Sequence, residues 1–226
     1  MSSVISFSSM GHLGQAGNQF YEYAFLRTYA KRFNCEWQLP TWGGQYLFGH
    51  QDPPIRIALP RWQERYEPHK YGYMCGTPIP PVGDECVGHD CYGWFQYHTS
   101  WYAPDKTFIQ SLFRPSPEAL ERVDPIMKRL REHGDTIISL HLRRGDSGRL
   151  IFPLLPVTWG LRWLHTNWQR FTNPVLFIAT EEVPLVRHFH YYKPVLAEDL
   201  GATIVNAPPP GYRYPHGRDN PPPRCM

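Results

Sequence analysis

Ile137-Ile138-Ser139-Leu140-His141-Leu142-Arg143-Arg144-Gly145-Asp146 is the stretch on which the fold turns. Its first six residues are mostly apolar and β-forming, and they run without a break into two arginines, a glycine and an aspartate. That pattern predicts a buried strand, Ile137 to Leu142, whose carboxyl end carries a dense charged cluster. On either side the text is periodic. Pro117 to His133 reads as an amphipathic helix, and Thr158 to Phe171 as another, with Leu161, Trp163 and Leu164 available for packing. Val175 to Ala179 reads as a second strand, Val183 to Phe189 as a short helix, and Ala202 to Val205 as a third strand. Strands alternating with helices predict a parallel sheet with crossover helices, the α/β class.

Ligands of open parallel sheets bind beyond the carboxyl ends of the strands, where His141, Arg143, Arg144 and Asp146 fall. Arginine offers a planar, permanently charged fork that matches two phosphate oxygens at once. A diphosphate leaving group gains negative charge during transfer, so an arginine fixed there favours the transition state over the ground state. Read alone, the same run is also a surface turn in which Asp146 pairs with its neighbours and binds nothing.

Working toward the N-terminus, Val4 to Phe7 has strand-forming residues, and Gly11 to Gly17 follows as a glycine-rich loop. A helix then begins near Asn18, with Phe20, Tyr23, Ala24, Leu26, Tyr29 and Ala30 at roughly helical spacing and Lys31 and Arg32 near its end, where the helix dipole favours cations. Gly14, Gly17 and Asn18 thus stand where backbone N–H groups can approach an anion, although a tight turn with no ligand explains the glycines equally. The loop lacks the Gly-Lys-Ser/Thr ending of a P-loop, which disfavours a Walker-type ATPase. It also resembles the first nucleotide loop of tubulin, but no later glycine-rich loop follows. From Trp37 to about Pro115 only short strands can be placed among the Pro, Gly and Trp residues.

Composition narrows the function classes. A net charge of +3 with no Lys/Arg run gives no case for nucleic-acid binding. No apolar run is long enough to span a bilayer, and Met1 to Phe7 has neither a basic nor an apolar leader region, so the chain reads as soluble and cytoplasmic. Five cysteines, an odd number, fit reduced thiols. Cys86-x-x-His89-x-Cys91 lacks a paired zinc half-site, and no metal is expected. The eight Trp, fourteen Tyr and twelve Phe suit either a cleft for sugar-like ligands or packing around long loops.

Gly14-x-x-Gly17-Asn18-Gln19 at a helix start, together with His141-x-Arg143-Arg144-x-Asp146 at a strand end, resembles the α-1,2-fucosyltransferases and their α-1,6- and protein O-fucosyltransferase relatives. Gly93-Trp94-Phe95-Gln96, then Trp101-Tyr102 and Phe113-Arg114-Pro115, is similar to that family's Gly-Tyr-Trp-Gln segment. Phe177 to Glu182 resembles its Phe-x-Ser-Asp-Asp strand end, with Glu181-Glu182 in place of the two aspartates. The resemblance implies two Rossmann-like lobes of GT-B type: an N-terminal α/β lobe over residues 1–115 on the acceptor side, and a nucleotide-sugar lobe over 116–206. It implies a nucleotide-diphosphate donor, usually GDP-fucose, a glycan acceptor, inversion, and neither metal nor cofactor. Carried over residue by residue, Arg143 contacts the β-phosphate, His141 lies beside the nucleotide, and Arg144 and Asp146 shape the turn or pair together. Gly17 and Asn18 close the cleft from the first lobe, while Glu181 or Glu182 accepts from guanine or ribose. The catalytic base is unassigned among Asp146, Glu22, Glu181 and Glu182.

The family's Ser/Thr-rich phosphate loop is expected after Val205, where the proline-rich tail of residues 207–226 stands instead. The second lobe is therefore expected to be shortened, with an open sheet edge that another copy of the chain would cover. A non-catalytic nucleotide or glycan binder, or an inactive shortened relative, are the competing expectations.

Overall fold

The apolar residues that follow Ser3 form β1 (Val4–Ser6), and the glycine-rich loop leads into α1 (Ala16–Arg32), in a computed structural model that describes residues 3–67, 76–144, 154–180 and 182–202. Tyr23, Ala24, Phe25, Leu26, Tyr29 and Ala30 are buried on α1, as are Gln19, Glu22 and Thr28. A helix covered around so much of its circumference runs through a core instead of lying on one. Its cationic last turn is used: Lys31 Nζ and Arg32 Nε donate to Asp105 at 2.6 and 2.8 Å. Burial pushes the Asp105 carboxyl up, but the Lys31 and Arg32 contacts outweigh it and hold the group below its ordinary value.

The chain continues through β2 (Glu36–Gln38), α2 (Gly43–Phe48), β3 (Arg61–Gln63), β4 (Arg65–Tyr66), β5 (Pro78–Ile79) and β6 (Asp90–Tyr92). The helices α3 (Thr99–Tyr102) and α4 (Lys106–Leu112) follow. Strands β2, β1, β6 and β3 stand in that order in one parallel sheet, and β4 pairs antiparallel with β5. Rungs this short stabilise little by themselves, and side chains dominate the packing. The Phe25 ring stacks on Phe95 with centroids 4.0 Å apart, while Phe7 meets Phe95 edge-on at 5.3 Å. Each such pair is worth roughly 0.5–1.5 kcal/mol beyond the area it buries.

The chain divides into two compact units, one of described residues up to Ala119 and the other starting at Leu120. Helix α5 (Pro117–Glu132) carries the chain across that division. The second unit then forms β7 (Thr136–Leu142), α6 (Val157–Asn167), a 3-10 turn at Trp168–Arg170, β8 (Pro174–Thr180) and a 3-10 helix over Val183–Tyr192. β7 and β8 pair in parallel over seven residues, from Thr136↔Pro174 to Leu142↔Thr180. The pleat sends alternate side chains to opposite faces. Ile138, Leu142, Leu176 and Ile178 pack with Leu164 of α6 and with Phe189, whereas Val175, Ile137 and Phe177 pack with Leu130 and Ile126 of α5.

One expectation is corrected, and another falls largely outside the described residues. The next parallel partner of β8 among the described residues is Val195, whose N–H and C=O bond Leu176 O and Ile178 N at 2.8 and 3.0 Å; of the anticipated strand at 202–205, residues 203–205 lie outside the described residues. Trp163, expected to pack, is half exposed, and with Trp159, Arg162, Thr166 and Asn167 it lines a shallow depression of about 390 Å³ on α6. The proline-rich residues 207–226 lie outside the described residues. Among the described residues no helix is long and apolar enough to cross a membrane.

Candidate functional site

In the second unit, the parallel register places the carboxyl ends of β7 and β8 side by side, since Leu142 is opposite Thr180. Residues far apart in sequence therefore converge: Arg144 Nε lies 3.8 Å from Glu182 Oε2. The two arginines take different roles. Arg144 is 5% exposed, and its Nη1 and Nη2 donate to the carbonyls of Arg143 and Leu155 at 3.0 and 3.1 Å. Its fork ties the strand end to the segment entering α6. Arg143 and His141 are exposed at that same end. Glu182 is also largely exposed, and its N–H donates to Thr180 Oγ1 at 3.1 Å. Asp146 and Glu181 lie outside the described residues. An exposed arginine beside a buried, fixed one at the mouth of a parallel sheet is an arrangement that can receive an anion.

In the first unit, the turn between β1 and α1 is built from its surroundings inward. Asp90, buried at the start of β6, accepts from Ser6 Oγ at 2.8 Å, Ser8 N at 2.7 Å and Ser8 Oγ at 2.6 Å, which fixes where the chain leaves β1. Gly14 has φ 70°, and a Cβ there would overlap Asn18 Nδ2 and Trp94 Cζ3 and sit 2.8 Å from Asn18 Cβ. Only glycine fits both the backbone and the space. Asn18 Oδ1 accepts from Gln96 Nε2 at 2.8 Å, and Gln19 Nε2 donates to Gly14 O at 3.2 Å. The Gly14–Gln19 and Gly93–Gln96 segments, read separately in the sequence, are thus one contact. Gly17, in the first turn of α1, has nothing within 4 Å of where a Cβ would be.

The Trp94–Gln96 segment is held by a carboxylate that sequence reading missed. Glu64, buried between β3 and β4, accepts from Trp94 N at 2.6 Å, Phe95 N at 3.0 Å and the Tyr66 hydroxyl. Phe95 adopts a left-handed φ of 51°, which costs a non-glycine residue roughly 1–2 kcal/mol. The Glu64 bonds and the rings stacked on Phe95 offset that cost. Glu64 and Asp90 carry no local motif; only their burial and their partners reveal them.

Cys35, Cys86 and Cys91 are buried free thiols, and burial pushes Cys91 well above the ordinary thiol range. His89 Nδ1 is 3.0 Å from Val87 O, and among the described residues no cluster of three His, Cys, Asp or Glu side chains could hold a metal ion. Cys75 and Cys225 lie outside the described residues.

No protein-family model matches the chain, and no curated protein matches it. Among solved structures, NodZ α-1,6-fucosyltransferase co-crystallised with GDP aligns with a TM-score of 0.46 at 11% identity, covering 89% of this chain and 82% of that one. The same enzyme soaked with GDP-fucose gives 0.47 at 11% identity, with 88% and 80% covered. The fucosyltransferase NodZ from Bradyrhizobium gives 0.48 at 10% identity, with 87% and 79% covered. A likeness this remote fixes neither activity nor substrate.

Proposed function

We propose that this chain is a glycosyltransferase that draws on a nucleotide-diphosphate sugar, with GDP-fucose as the donor, and delivers the sugar to a carbohydrate hydroxyl with inversion and without metal. The observation that carries the reading is the pairing of the β7 and β8 ends, where Arg144 is locked to the backbone carbonyls of Arg143 and Leu155 while Arg143 stays exposed. In the reaction, the bond from the sugar's anomeric carbon to the β-phosphate oxygen breaks, and a bond to the acceptor oxygen forms from the opposite face. The acceptor proton passes to a base, and the electron pair of the broken bond leaves on the diphosphate. Arg143 meets that growing charge, and it contributes most where the charge is largest, in the transition state. His141 lies beside the nucleotide, and Glu181 or Glu182 accepts from guanine or ribose. In the first unit, Gly14 sets the turn that leads into α1.

Calorimetric titration with GDP, GDP-fucose, UDP and ADP tests the donor: one base should be preferred, and saturation with none of them removes the reading. Arg143→Ala should lower turnover of the preferred donor by roughly 10²-fold or more while leaving urea unfolding unchanged. Near-normal turnover by that variant would sink the assignment.

A further inference from the structure

The helix that carries Asn18 to its contact with Gln96 also carries a fully buried carboxyl. Glu22 sits on α1 one turn beyond Asn18, with none of its surface exposed, and neither of its carboxyl oxygens has a hydrogen-bond partner among the described residues. The charge acting on it is that of Glu64. Glu64 has what Glu22 lacks, three donors from Trp94 N, Phe95 N and Tyr66. A carboxyl with no donors, buried where a like charge acts on it, holds its proton. Burial first, then Glu64, pushes the Glu22 carboxyl up to about 9.

The other titratable groups around the pair come from every side. Tyr66 of β4 donates to Glu64, and Tyr102 of α3 donates to Phe95 O. Tyr97, in the segment after β6, has a buried hydroxyl without a partner among the described residues, and the Cys86 and Cys91 thiols also act on it. Burial and then Glu64 raise both Tyr97 and Tyr102, so these phenols stay neutral as well.

We propose that Glu22 is a positioning residue carried as a neutral acid, whose protonation keeps Glu64 clamped on the Trp94 and Phe95 N–H groups and thereby holds Gln96 against Asn18 beside the glycine turn. Ionising Glu22 sets a second negative charge against Glu64. The repulsion is relieved by separating α1 from the segment after β6, which breaks the Asn18–Gln96 bond. The inference stands whether or not the turn takes a nucleotide.

The sign follows from the direction of the shift. An acid whose folded value is raised contributes fully to stability below its unfolded value of 4.5, and that contribution is lost as pH rises toward about 9. Urea unfolding of the full chain between pH 5.5 and 8.5, wild type against Glu22→Gln, isolates the effect, because every other group titrates in both proteins. The wild-type folding constant should fall relative to the variant by up to about tenfold per pH unit. Amide exchange at Trp94 and Phe95, corrected for its intrinsic pH dependence, should accelerate with pH in the wild type and stay level in the variant. Parallel stability profiles, or exchange at these two amides that is the same in both proteins, overturn the proposal. Glu22→Met supplies a second neutral group. Failure of both neutral variants to fold also overturns it, since neutrality at position 22 is all it requires.

Discussion

Gly14 and Gly17 lie three residues apart in one loop-to-helix motif, yet alanine should act on them in opposite directions. At Gly14 the backbone is left-handed, which costs alanine roughly 1–2 kcal/mol. The new methyl would overlap Asn18 Nδ2 and Trp94 Cζ3, so both side chains must move, an overpacking cost of roughly 1–3 kcal/mol. Moving Asn18 also breaks its bond with Gln96, for about 1 kcal/mol more. Gly14→Ala should therefore destabilise the protein by about 3–6 kcal/mol, the low end if Trp94 swings aside easily. At Gly17 the backbone is helical and the space is open, and alanine should stabilise by up to about 1 kcal/mol. Urea unfolding followed by circular dichroism measures both. If Gly17→Ala proved the more damaging of the two, or Gly14→Ala changed stability by less than about 1 kcal/mol, the description of this turn would be wrong. GDP titration then separates packing from binding: should a phosphate approach the Gly17 N–H, Gly17→Ala will fold better and bind worse.

Arg144→Ala should cost about 2–4 kcal/mol in urea unfolding, because it leaves the Arg143 and Leu155 carbonyls without their charged donor, whereas Arg143→Ala should change stability little and turnover greatly. Equal stability losses in the two variants would contradict the division of labour between them. Asp105→Asn should cost about 1–2 kcal/mol at pH 7 through its bonds to Lys31 and Arg32. Since the Asp105 carboxyl is held below its ordinary value, that loss should shrink as pH falls below about 4, where the wild-type group protonates too; a deficit unchanged at pH 3 would refute the charge argument.

The second unit was the more legible in sequence. β7 and β8 are seven residues each and α6 is eleven, long enough for the strand and helix periods to be read directly. In the first unit the strands are two or three residues long, and their positions depend on contacts such as Asp90 to Ser6 and Glu64 to Trp94 that no local pattern encodes. The helices α2 to α4 were not anticipated for the same reason. At the candidate site the run of residues alone offers two adjacent arginines, and only the family resemblance assigns Arg143 to the β-phosphate and Arg144 to the turn or a pairing with Asp146. The structure adds a tertiary neighbour, the Leu155 carbonyl, which accepts from the buried Arg144 guanidinium, while Arg143 is exposed. Trp163 misled because a tryptophan at helical spacing beside a leucine reads as core, while the face that meets the sheet is carried by Leu164 and Gly160.

The course of the chain after β6 is governed by one carboxylate. In a sheet, the direction of a strand is distributed over many rungs, and losing any one of them shifts the others only slightly. Here both N–H groups at the bend, Trp94 and Phe95, go to the one side chain at residue 64, and the Tyr102 hydroxyl and the stacked rings hold Phe95 by other atoms. The geometry of the bend is therefore sharply defined and brittle at once, and an alteration of that one side chain releases both amides where a comparable loss within a ladder would only loosen it.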